Sequence, residues 1–185
     1  MALPDSLVLT QGTGLVFAHS DYSPTVVYNN LGTKTANHDL DLTSVAAGEY
    51  EQSIKVTLPA SRAPLYGCWV AIEFVSAPAA GLLVTAWWVP SWSATAGIGN
   101  PGGATGVSSA YVGYSANAAN SVKQLQLIGS GSTTVQTIQT LYLGAVSFPS
   151  GYGSLVILNG TAVATAADGV EQAVLFLPIQ PVTID

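Results

Sequence analysis

Several short segments of this 185-residue chain hold side chains capable of chemistry. His19-Ser20-Asp21 contains the base, nucleophile and acid of a hydrolytic relay. Adjacent residues of an extended chain point to different faces, however, and a general base needs a second group to orient it, so the segment reads as a solvated loop. Asn37-His38-Asp39-Leu40-Asp41 places Asp39 and Asp41 on one face of a strand, where two carboxylates could face a hard cation. The glycine turn and further oxygen ligands of a calcium loop are missing, so the expectation is the polar face of an amphipathic strand. Asp39/Asp41 and Asp168/Glu171 are the near carboxylate pairs that glycoside hydrolysis would require, and neither lies in an aromatic context. Gly99-Asn100-Pro101-Gly102-Gly103 lacks the Lys-Ser/Thr end and following helix of a phosphate loop. Asn159-Gly160-Thr161 matches a glycosylation acceptor, but Asn-Gly is explained by a two-residue hairpin turn. The chain therefore reads as non-enzymatic, with no catalytic, cofactor-binding or metal-ligating residue assigned.

Two further groups are read as structural. Cys68 is the single cysteine, which excludes an intrachain disulfide and a cysteine metal cluster. Its alternation with Val70, Ile72 and Phe74 predicts a thiol buried in a core. Glu73 faces the other way and is expected to be exposed, or paired with Lys55, Arg62 or Lys123 across an interface.

Charge is scarce. Between Glu73 and Asp168 the only charged side chain is Lys123, and the whole chain is 8% charged with a net charge of −6. Ordinary domains are about 25% charged. Four scattered Lys and Arg residues do not form the basic cluster that nucleic acid requires. Residues 74–92 are uncharged over nearly the length of a membrane span, but Pro78, Gly81 and Pro90 interrupt them and predict two strands. Neither nucleic acid nor membrane is expected as a partner. Pro4, Asp5, Gln11, Gly12 and Gly14 break up any apolar leader after Met1, so synthesis in a cytoplasm is expected.

The elements that would position these groups are strands. Val, Thr, Ser and Gly abound and ten prolines are spread along the chain, which predicts an all-β domain. Residues 1–30 read as an irregular arm anchored by Leu7-Val8-Leu9 and Leu15-Val16-Phe17. Strands are expected at residues 34–43, 54–58, 66–75, 82–89, 122–128, 135–146, 154–158, 162–165 and 170–179. Residues 66–75 and 82–89 would form one hairpin, and Asn159-Gly160 would turn another. Trp87 and Trp88 point to opposite faces of their strand, so both faces should be covered. A helical turn is possible only near residues 115–124. Residues 90–114 form a long Gly- and Ser-rich loop, expected to be ordered on assembly because it carries Trp92, Tyr111 and Tyr114. The pattern is that of a β-sandwich or jelly roll of about 8–10 strands, spanning residues 31–185 behind the arm.

A sheet this poor in lysine has little to protect its edges and faces from other chains, which predicts a permanent assembly. Trp92-Ser93-Ala94-Thr95-Ala96-Gly97, Gly99-Asn100-Pro101-Gly102-Gly103 and Ser121-Val122-Lys123-Gln124-Leu125-Gln126 resemble segments of small structural proteins of tailed bacteriophages. The resemblance implies a virion protein assembled in the host cytoplasm, most closely a capsid decoration or cement subunit. Its partners would be copies of itself, as a homotrimer or similar cluster, and the major capsid protein. Trp87, Trp92, Tyr111, Tyr114, Leu15 and Phe17 are the candidate interface anchors. The alternative is a tail or fibre component that stacks a host glycan on the same aromatics.

Overall fold

A computed structural model describes residues 14–25 and 30–179. Its strands are β1 (Leu15–Ala18), β2 (Tyr50–Gln52), β3 (Val56–Thr57), β4 (Tyr66–Ile72), β5 (Leu83–Ser91), β6 (Ser109–Ala110), β7 (Gln126–Ser132), β8 (Gln139–Val146), β9 (Tyr152–Gly160) and β10 (Ala173–Pro178). The fold is all-β, with a single α-helical turn, α1 (Ala118–Ser121), among the described residues. The strands follow one path, β1-β10-β4-β8-β7-β5-β9-β2-β6, with β3 also pairing β9, and every strand pairing is antiparallel.

One link of this path is thin. β7 and β8 are consecutive, but their ladder holds a single register pair, Gly129 opposite Gly144. Both glycines have positive φ, and a Cβ on either would strike a carbonyl oxygen of the facing strand, Leu143 or Ile128. Only glycine admits that approach. From this crossing the β1-β10-β4-β8 half and the β7-β5-β9-β2 half fold over a shared core. Phe17, Cys68, Val70, Ile72 and Phe176 come from the first half, and Val84, Ala86, Trp88, Leu155 and Ile157 from the second. Phe148 packs against Tyr66, Trp88 and Phe176, with ring centroids 4.9, 4.5 and 5.3 Å apart.

Several local expectations are corrected. Residues 66–75 and 82–89 contain strands that do not pair: β4 lies between β10 and β8, and β5 between β7 and β9. Asn159-Gly160 is not a hairpin turn. Asn159 lies within β9 opposite Val84, and its buried amide donates to the carbonyls of Val45, Ala46 and Val163 while accepting from Thr161. That amide satisfies the end of the strand where a turn was expected. Residues 34–43 form no strand; Leu40 and Leu42 still enter the core, and Asp39 bridges Ala18. The irregular arm is corrected at residues 15–18, which are a buried strand. Leu7-Val8-Leu9 lie outside the described residues.

One end of the sheet is covered by the chain itself. On the free side of β1, Thr35 Oγ1 accepts from Val16, and backbone bonds join Thr35 to Val16, Ala18 to His38 and Leu40 to Ala18. At the other end β6 is two residues long. The edges are therefore blunted, and the apolar surface that stays open lies on faces and loops.

Candidate interaction surface

The segment following β5 is wound tightly against the sheet. The Lys55 side chain, between β2 and β3, crosses to it, and Nζ donates to the carbonyls of Ser93, Thr95 and Ile98 at 3.2, 2.6 and 2.6 Å. Ser91 Oγ also donates to the Ser93 and Ile98 carbonyls, both at 3.2 Å. Asn100 Nδ2 ties the Ala96 and Ala104 carbonyls, at 2.6 and 2.7 Å. Partial burial lowers the Lys55 pKa from its ordinary value. The start of the Gly- and Ser-rich loop, expected to be ordered on assembly, is tied down within the single chain, because its inward carbonyls converge on one ammonium and one amide.

The next stretch folds back onto the outer face of β5 and β9. Tyr111 is 2% exposed, and its hydroxyl donates to the Gly102 carbonyl at 2.5 Å. Burial pushes that hydroxyl's pKa up to about 12, which keeps it a donor. Tyr111 joins Val89, Ala104, Val122, Leu125 and Val156 in a second small core, with Trp87 and Tyr50 packed against it. The turn expected near residues 115–124 is present as α1 between two 3₁₀ turns, Tyr114–Ala116 and Val122–Gln124. Ser121 Oγ accepts from the Tyr114 amide at 2.9 Å.

This packing sorts the six candidate anchors. Leu15 and Phe17 are buried in β1, and Tyr111 is buried under its own loop, so none of the three is open to a second subunit. Trp87 is half-buried in the second core. Trp92, 78% exposed, and Tyr114, 52% exposed, remain outside, accompanied by the exposed side chains of Ile98, Val107 and Val112. The Trp92 ring lies against Gly99, where an added Cβ would approach it to 3.0 Å. Ser115 and Ala116, beside Tyr114, both have positive φ. Two consecutive left-handed non-glycine residues are strained, and strain of this kind collects at functional loops.

A second apolar region lies on the outer face of the other half. Trp69 and Tyr142 are register partners on β4 and β8, with ring centroids 5.0 Å apart above Gly67. Tyr142 is 52% exposed, and Leu177 on β10 is also exposed. Sequence reasoning missed Trp69, Tyr142 and Lys55. The outward alternation against Cys68 and Val70 could have found Trp69; no local signal could have found Lys55.

The structure places the chemistry-bearing residues singled out in the sequence as follows. In the 19–21 segment Ser20 Oγ donates to Asp21 at 3.2 Å and His19 Nδ1 accepts from the Asp21 amide, so serine and histidine are not joined as base and nucleophile. Asp39 pairs with Lys34, while Asp41 accepts from the Thr43 amide and hydroxyl. Both carboxylates border an open groove of about 300 Å³ with His19, Ser20, Leu40 and Ser108. Glu171 accepts from Thr25. Among the described residues Glu73 forms no ion pair with a base. Desolvation and the nearby charges of Asp168 and Glu171 raise its pKa. Among the described residues no three His, Cys, Asp or Glu side chains are arranged to hold a metal ion. Cys68 is buried and free. Compared with protein-family models, curated proteins and solved structures, the chain matches none of them.

Proposed function

We propose that the chain is a non-enzymatic virion structural protein of a tailed bacteriophage, in the manner of a capsid decoration or cement subunit. The curled sheet is read as a sandwich of jelly-roll type that presents loops for contact. The carrying observation is the exposure of Trp92 and Ile98 on a loop whose backbone is tied down by Lys55, Ser91 and Asn100. An exposed tryptophan on an ordered loop suits an interface anchor, because little conformational entropy remains to be lost on binding. Copies of the chain, clustered as a trimer or similar unit, would bury these residues across joints between major capsid subunits. Such burial stabilises the assembled shell by linkage.

A second reading has support in the same residue. The Trp92 ring rests against Gly99 and is 78% exposed, which also suits a sugar-stacking platform on a tail or fibre protein. Gold-labelled antibody against the chain, imaged on intact particles, separates the two. Label on the heads is the expected result. Label confined to tails, with glycan-array binding that Trp92→Ala abolishes, would replace the decoration reading with the second.

A further inference from the structure

The Lys55 ammonium is held differently from an ordinary surface lysine. Its three N–H donors meet three backbone carbonyls from a six-residue arc, Ser93, Thr95 and Ile98, and no carboxylate forms an ion pair with it among the described residues. The arc is closed from several sides. Ser91 Oγ bridges its two ends, and the Ile98 amide donates to the Thr95 carbonyl at 3.1 Å. Gly106 is wedged between the Ala96 carbonyl and Lys55 Cβ with φ +69°, and its own carbonyl accepts from the Lys55 amide at 2.9 Å. Convergent carbonyl oxygens repel one another unless a cation sits among them, and bonds from a charged donor are about twice as strong as neutral ones. Trp92 precedes this arc and Ile98 ends it.

We propose that the Ser93–Ile98 arc is a cation seat for a primary ammonium, filled by Lys55, and that this charge holds Trp92 and Ile98 in their exposed geometry. Lys55 is thus a positioning residue for the interaction surface. The inference rests on the reading of Trp92 and Ile98 as contact residues only for its consequence in assembly; the seat itself is a property of the isolated chain.

Two measurements on the full chain test it separately. The first is amide hydrogen exchange at Ile98. Lys55→Met keeps an apolar stem and removes the charge, and is expected to speed exchange at Ile98 by about tenfold or more, while amides in β5 and β9 are unchanged. Lys55→Ala leaves the seat empty. Methylammonium chloride should then restore the protection, and tetramethylammonium chloride, equally charged but without N–H donors, should not. If Lys55→Met does not fold, Lys55→Gln gives the same readout, since its neutral amide carries no charge to hold the carbonyls and exchange should rise. Exchange at Ile98 unchanged in these variants, or opened by Lys55→Ala with no rescue by methylammonium, would overturn the cation seat. The second measurement is sedimentation of Lys55→Met. Lost protection with weakened assembly supports the whole inference, whereas lost protection with intact assembly removes the link to the interaction surface and leaves the seat.

Discussion

Glu51 sits mid-strand in β2, opposite Ile157 on β9 and Ala110 on β6, with only 9% of its surface exposed. Desolvation, reinforced by the neighbouring Asp41, raises its pKa from 4.5 to about 8. The sign follows from linkage: an acid whose folded pKa exceeds its unfolded value binds its proton more tightly when folded. Its contribution is therefore favourable at low pH and is lost as pH rises from about 4.5 to about 8. His38 acts oppositely below its ordinary pKa, because burial lowers its pKa and protonation costs stability there. Comparing Glu51→Gln with the parent isolates the glutamate. The parent's melting temperature should fall relative to the variant between pH 5 and pH 8, and parallel curves would show that Glu51 is not held in this way. Cys68 offers a second residue-scale test. Burial pushes its thiol pKa far above the ordinary value. A thiol reagent should leave the native chain unmodified and react fully after denaturation. Ala116 offers a third. Its φ of +55° is strained for alanine, so Ala116→Gly should raise stability, by about 1 kcal/mol in chemical denaturation.

At the scale of elements, the β7–β8 crossing is the least tolerant position. Gly129→Ala would drive a methyl group into the Leu143 carbonyl, and should cost roughly 3 kcal/mol or more by denaturant unfolding. Gly97→Ala, in the exposed arc where an added Cβ meets nothing, should change stability by less than about 0.5 kcal/mol. Which parts of this were legible in sequence follows from the range of the forces involved. Alternation exposed the buried face of β4 through Cys68, Val70 and Ile72, and the two-faced role of Trp87 and Trp88. It could not say which strands pair, because β4 reaches β10 across a hundred residues and period two carries no partner information. The Asn-Gly turn misled because the Asn159 amide is occupied by carbonyls distant in sequence, from Val45 and Ala46. The aromatics pointed to an ordered loop, but what organises the 93–98 arc was illegible for the same reason: its charge, Lys55, lies 38 to 43 residues earlier in the chain.

For the whole molecule, the long uncharged stretch resolves into a core, a second small core under the 101–125 loop, and two open apolar regions. The edges that sequence reasoning left exposed are blunted by residues 35–40 and by the shortness of β6. Assembly would therefore proceed through faces and the Trp92 loop, not by adding strands. On this account Trp92→Ala leaves the melting temperature nearly unchanged, since the side chain is 78% exposed, and weakens self-association by about tenfold or more. The most direct test of the central claim is the mass of the purified parent chain in solution, measured by sedimentation over a range of concentrations. A self-associating chain would sediment as a defined multiple of 18.9 kDa that Trp92→Ala dissociates. A soluble species of 18.9 kDa at every concentration, with no tendency to associate, would contradict it.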